Sequence, residues 1–186
     1  MQFARTSIDG VVVIEVEPIE DERGFFARGW CQGEFADQGL GATFVQENIG
    51  YSAKAGTLRG LHFQRAPFEE AKLVRCTAGA VWDVAVDLRC DSPTHRRSFG
   101  VELRADARNM VYVPEGCAHG YLTLIDDTEV RYLTSQYYAP EAVAGVRYDD
   151  DLLEISWPRD VAVVSAQDRG WPLLGEREAA NEAASS

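Results

Sequence analysis

Polar and apolar residues alternate between Val81 and Arg89: Trp82, Val84, Val86 and Leu88 fall on one side of an extended chain, Val81, Asp83, Ala85 and Asp87 on the other. A period of two marks a strand whose faces meet unlike surroundings. Short runs of the same β-rich character recur at Val11–Val16, Thr43–Gln46, Lys72–Cys76, Phe99–Leu103, Met110–Val113, Gly120–Leu124 and Glu129–Thr134. Gly, Pro, Asp or Ser punctuates them, as turns require. Helical patterns are confined to Gln32–Gln38 and a short segment near the end. Many short strands with few helices predict an all-β sandwich or barrel.

At 186 residues and 46% hydrophobic content, the chain suits a single domain, here residues 1–174. The last stretch, 175–186, is polar and Ala-rich without apolar anchors, which predicts a flexible tail. No run approaches the roughly 18 apolar residues of a membrane span, and the start lacks the apolar core of a signal peptide, so a cytoplasmic protein that leaves membranes alone is expected. Cys31, Cys76, Cys90 and Cys117 are irregularly spaced with no C-x-x-C, and are read as reduced, largely buried thiols. A net charge of −12 argues against nucleic-acid binding. A small anion could still bind a local cationic pocket built from Arg23, Arg59 and Lys72.

Four separated residues combine into a proton-transfer set: His62 as base, Asp168 to orient it, Lys72 as cation and Tyr132 as phenolic acid. Together they could move a proton on and off a carbon beside a carbonyl. Each also has an ordinary reading. A lone histidine is usually a satisfied core residue, a lysine beginning an apolar run is usually at a sheet edge in water, and a strand tyrosine is usually packing. Asp83 is a second candidate partner for the His62 ring. Arg59 and His62 have opposite parity on an ideal strand, so both reach one cavity only if the strand bulges, and Gly60 is the natural place.

Asp21-Glu-Arg23-Gly24-Phe25-Phe26, Gln46-x-Asn48, Leu58-Arg59-Gly60-Leu61-His62-Phe63-Gln64, Lys72-Leu73-Val74, Asp83-Val-Ala-Val-Asp87-Leu-Arg89, Pro114-x-Gly116-x-Ala118-His119-Gly120, Tyr132 and Ser165-x-x-Asp168 resemble the dTDP-4-dehydrorhamnose 3,5-epimerase family. The likeness runs from about residue 3 to about residue 174. It implies a cupin-type jelly roll (a double-stranded β-helix) that forms a homodimer and needs no metal or organic cofactor. It also implies a nucleotide-sugar substrate, a dTDP-4-keto-6-deoxyhexose, inverted at C3, C5 or both in rhamnose-type deoxysugar biosynthesis.

Carried over residue by residue, the resemblance makes His62 the base, Asp168 its orienter, Lys72 the cation beside the C4 oxygen and Tyr132 the acid on the opposite face. It makes Arg23, Phe26, Gln46, Asn48, Arg59, His119 and Tyr137 substrate contacts. The chain departs from the family pattern at Arg28, usually Glu; Gly50, usually Ser; and Gln167, usually Lys, changes that bear on which sugar is accepted. The competing readings are ketoisomerisation or single-centre epimerisation of another nucleotide-linked 4-keto sugar, a metal-dependent cupin enzyme and a silent nucleotide-sugar binding module. For the metal reading only His62, His95 and His119 exist, without a His-x-His, and His95 sits in a polar loop that predicts exposure.

Overall fold

A computed structural model describes residues 1–41 and 43–176. The strands begin with β1 Gln2–Arg5, β2 Val12–Glu15, β3 Ile19–Asp21, β4 Gly24–Phe26, β5 Gln46–Ser52, β6 Thr57–Gln64 and β7 Lys72–Ala78. They continue with β8 Ala80–Asp87, β9 Ser98–Arg104, β10 Met110–Val113, β11 Cys117–Thr123, β12 Thr128–Thr134, β13 Val143–Gly145 and β14 Val163–Val164. Helix α1 is Gln32–Asp37 and helix α2 is Ala166–Arg169.

One sheet has the order β1-β2-β10-β7-β12-β5 and the other β13-β6-β11-β8-β9. All of these pairings are antiparallel; β14 alone runs parallel, beside β6. The non-consecutive order is that of a cupin-type jelly roll, and a two-stranded β3–β4 hairpin stands apart from both sheets. The departures from the expected strand pattern are local. The run expected at Thr43–Gln46 pairs only from Gln46 and extends to Ser52, because Phe44 turns aside onto Trp30, ring centres 5.8 Å apart. The hairpin, β1, β13 and β14 are short strands that carry no period-two signal of their own.

The alternation in β8 reflects two buried surfaces rather than one wet and one dry. Val81 and Ala85 point between the sheets, where they meet Val74, Cys76, Val111, Val113 and Val130. Val84 and Val86 point outward, under Val146, Leu153 and Leu174 of the C-terminal segment. The other sheet's outer face is covered by α1, whose Phe35 packs on Val12, Ile14, Leu73 and Met110. A six-residue helix is not stable alone, so burial of Phe35, worth about 2–3 kcal/mol, is what holds it. Of the cysteines, Cys76 and Cys117 are buried, Cys31 is half-buried and Cys90 is exposed, so the expectation of burial holds for two. Only residues 175 and 176 of the expected tail are described; 177–186 lie outside the described residues.

Asp87 ends β8 fully buried and ties the following loop. It accepts hydrogen bonds from the Arg89 guanidinium (2.8 and 2.9 Å), the Ser92 hydroxyl (2.5 Å), the Thr94 hydroxyl (2.7 Å) and the Arg89 N–H (3.0 Å). Burial alone raises its pKa, but these donors overrule it and hold the carboxyl well below the usual carboxylate range. A depressed native pKa contributes stability above the unfolded value of about 3.9 and loses it only as pH falls through the native value. Asp87→Ala, which strands the Arg89 charge, should therefore cost about 3 kcal/mol at pH 7 by urea denaturation. The gap to wild type should persist at pH 4.

Candidate active site

The register between β6 and β11 slips where Gly60 predicts. His119 faces His62, but Tyr121 faces Arg59, so three steps on β6 match two on β11. The extra residue puts Arg59 and His62 on one cavity, which they share. Gly60 has φ +120°, and a Cβ there would sit 2.6 Å from the Gly120 Cα and 2.8 Å from the His119 carbonyl oxygen, so no other residue fits.

Asp168 reaches His62 by a second route. Strand β14 pairs with the start of β6, Val163 with Thr57 and Val164 with Leu58, and so delivers α2 beside the bulge. The Ser165 hydroxyl caps α2 by accepting the Asp168 N–H at 3.0 Å. Asp168, 4% exposed, has Oδ1 2.5 Å from His62 Nε2 and Oδ2 3.4 Å from the Gly60 N–H. Burial alone raises its pKa, but the His62 hydrogen bond and charge, with Ser165 and the Gly60 N–H, outweigh it and hold the carboxyl below the usual range. An ionised Asp168 accepts from Nε2–H and leaves Nδ1 as the nitrogen open to a ligand. Asp83, the other candidate partner, belongs to His119: its oxygens lie 3.0 and 2.9 Å from His119 Nε2, and both residues are buried.

Lys72 opens β7 from the facing sheet and is 6% exposed, against the edge-strand reading. Its ammonium donates to the His62 carbonyl oxygen (3.3 Å) and pairs with Glu70 (3.1 Å). Tyr132, on β12, has a pKa raised by burial first and by the Glu70 charge second, against the opposing pull of Arg59. Its phenol is thus protonated at neutral pH.

His62, Lys72, Tyr132 and Gln167 stand where two cavities meet. The larger, about 520 Å³, also holds Arg59, His119, Tyr121 and Asp168. The smaller, about 420 Å³, holds Gln46, Asn48, Gln64, Glu70 and Tyr138. Gln46 donates to the Asn48 side-chain oxygen at 3.0 Å, and Arg59 donates to the Ser52 hydroxyl and the Tyr51 carbonyl.

Four sequence expectations meet a different placement within this chain. Tyr137 lines neither cavity; its carbonyl accepts from Gln64, the same amide takes the Ala139 N–H, and this clamp leaves Tyr137 outside with Tyr138 lining the smaller cavity. Arg23 and Phe26 lie on the exposed β3–β4 hairpin, Arg23 folded back on Asp21 and Phe26 70% exposed, and line neither cavity of this chain. Arg28 is likewise outside, paired at 3.0 Å with Glu34 in the first turn of α1, whereas Gly50 and Gln167 do line the site. His95 is half-buried in the β8–β9 loop, away from the other two histidines. Among the described residues no group of three or more His, Cys, Asp or Glu could hold a metal ion.

The sequence reading missed Glu70, Gln64, Tyr121, Tyr138 and Trp171. The Glu70-x-Lys72 spacing, two apart, was the available signal for the first. Trp171 packs edge-on to the His62 ring at 6.2 Å.

The family model of dTDP-4-dehydrorhamnose 3,5-epimerase matches residues 5–176. The chain belongs to that family. A dTDP-4-dehydrorhamnose 3,5-epimerase of Methanothermobacter thermautotrophicus is 42% identical over 178 residues, 94% of this chain and 95% of its own. The Bacillus anthracis epimerase of the same name, solved with TDP and PPi bound, has a TM-score of 0.89 at 40% identity, covering 93% of this chain and 99% of that one. A Legionella pneumophila dTDP-6-deoxy-D-glucose-3,5-epimerase, in complex with dTDP-4-keto-L-rhamnose, has a TM-score of 0.87 at 36% identity, covering 94% and 93%.

The ring geometry at His62 is directly measurable. In wild type, imidazole ¹⁵N shifts should report His62 in the Nε2–H tautomer. Asp168→Asn should lose that preference and mix the two tautomers, while the ring stays in place.

Proposed function

We propose that this chain is an epimerase that inverts C3 and C5 of a dTDP-linked 4-keto-6-deoxy sugar, the step that leads toward rhamnose-type deoxysugars. The single observation that carries the reading is the junction of the two cavities, where an oriented imidazole on one sheet and a half-buried phenol on the other share the same space.

In this mechanism the C4 carbonyl acidifies the hydrogens on C3 and C5. His62 Nδ1 takes one, the C–H electron pair moves into a C=C bond and onto O4, and the imidazolium is stabilised by Asp168. Lys72 stands beside O4, where charge grows, the position at which a fixed cation matters most. Tyr132 then gives its proton to the opposite face of the same carbon. Solvent restores both groups between turnovers, and the second centre repeats the cycle. The electron pair returns to the carbon it left, so the reaction as written calls for no metal or organic cofactor.

The contacts follow the two cavities. We assign Gln46, Asn48 and Tyr138 to the nucleotide, Arg59 at the exposed rim to its phosphates, and His119, oriented by Asp83, to the sugar. Arg23 and Phe26 can meet a substrate only from the hairpin of a second copy. We therefore propose a homodimer in which that hairpin closes the partner's cavity, supported by the exposed Ile19, Phe25 and Phe26. We further propose that residues 1–174 act as one jelly-roll domain. No helix among the described residues is long and apolar enough to cross a membrane, and the four free thiols suit the cytoplasmic setting we assign.

Incubation with dTDP-4-keto-6-deoxyglucose in deuterated water tests the reading. NMR should find label at C3 and C5. His62→Ala should slow exchange at least about 100-fold. Tyr132→Phe should keep exchange but lose inversion, and Lys72→Ala should lower kcat about 100- to 1000-fold. Full turnover by either of the first two variants would refute the assigned roles.

A further inference from the structure

A second phenol enters the larger cavity. Tyr121 rises from β11, one step past the Gly60–Gly120 contact, and its ring crosses from its own sheet toward β5 of the other. There Gly50 makes room for it: a Cβ at position 50 would lie 2.6 Å from the Tyr121 hydroxyl oxygen, while the next ring atom is 3.9 Å away. The oxygen alone, and not the ring, therefore requires a glycine. Tyr121 is 5% exposed and lines the cavity, and its hydroxyl is not a buried atom left without a partner, so it faces the cavity space.

A phenol hydroxyl that opens onto a cavity can exchange water for a polar group of a ligand. Burial pushes the Tyr121 phenol up to about 12, with Arg59 acting in the other direction, so the group is a neutral donor at working pH. The ring leans on His119, centres 6.4 Å apart, on the side of the site away from Gln46, Asn48 and Tyr138. Whatever meets this hydroxyl sits with the reacting groups rather than with the nucleotide contacts.

We propose that Tyr121 and Gly50 form a specificity pair, in which the Tyr121 hydroxyl hydrogen-bonds a hydroxyl of the keto-sugar ring and Gly50 exists to leave it that position. The inference rests on the epimerase reading and deepens it. The pair reads a polar substituent on the sugar, and a sugar lacking that hydroxyl would forfeit the hydrogen bond while displacing the water that the phenol otherwise meets, which is how such sites reject analogues.

The test is a double-mutant cycle on the full chain with dTDP-4-keto-6-deoxyglucose as substrate. Tyr121→Phe keeps the ring and removes the oxygen: KM should rise about tenfold, kcat should change less than about twofold, and the affinity for dTDP alone should not change. Gly50→Ala displaces the hydroxyl and should raise KM to a similar degree. In the Tyr121→Phe background the same Gly50→Ala change should have no further effect, because the ring leaves ordinary contact distance for a Cβ. An unchanged KM in Tyr121→Phe would reduce the phenol to packing and overturn the proposal. So would an equal loss of dTDP affinity, which would put the contact on the nucleotide, or additive effects of the two substitutions. A wild-type protein that binds dTDP but does not turn over the keto sugar would overturn both this proposal and the epimerase reading.

Discussion

A histidine can serve as a base toward carbon only if one ring nitrogen is fixed and the other is free, and here that condition is met by a carboxylate 106 residues away. The rest of the architecture can be read as what this contact needs. Strand β14 lies parallel on β6, Ser165 starts a single turn, and Asp168 is set down beside Gly60. The bulge on β6 turns His62 toward the cavity at the same place, and Asp168 binds the N–H of the bulge glycine as well as the imidazole. Position of the base and position of its orienter are thus one local structure.

The second requirement is opposition. His62 belongs to one sheet and Lys72 and Tyr132 to the other, so the jelly roll itself sets the imidazole and the phenol on opposite walls of a shared cavity. The sheets face each other through a rigid apolar layer, Val74, Val111 and Val130 against Val81, Ala85 and Leu103. The charge pattern serves the same end. A chain of net charge −12 places Arg59 and Lys72 at one cavity, a local concentration of positive charge suited to an anionic ligand.

Much of this was legible in the sequence, and the failures have a common cause. The alternation in β8 and the turn residues between runs specified an all-β fold, because period two is a local property of the chain. The Arg59–Gln64 run pointed to His62, and its parity conflict required the bulge at Gly60. What could not be read were choices made by distant partners. Tyr137 and Tyr138 are adjacent and chemically alike, and the Gln64 side chain from another strand decides which one faces inward. Asp83 stood as a rival to Asp168 for His62 until the register of β8 on β11 gave Asp83 to His119. Arg28 was placed near the ligand, but the first turn of α1 supplies Glu34 and draws it away. Arg23 and Phe26 lie on a hairpin apart from both cavities of the site, a placement that no single-chain pattern encodes.

The central claim is that one ketone-bearing ring lies between an imidazole and a phenol anchored on facing sheets. A crystal structure of this protein with a dTDP-4-keto-6-deoxy sugar bound tests it most directly. The account predicts the ring at the junction of the two cavities, with His62 Nδ1 and the Tyr132 hydroxyl on opposite faces of the reacting carbon at about 3–3.5 Å and the Lys72 ammonium at O4. A sugar held elsewhere, or with both groups on the same face, would contradict it.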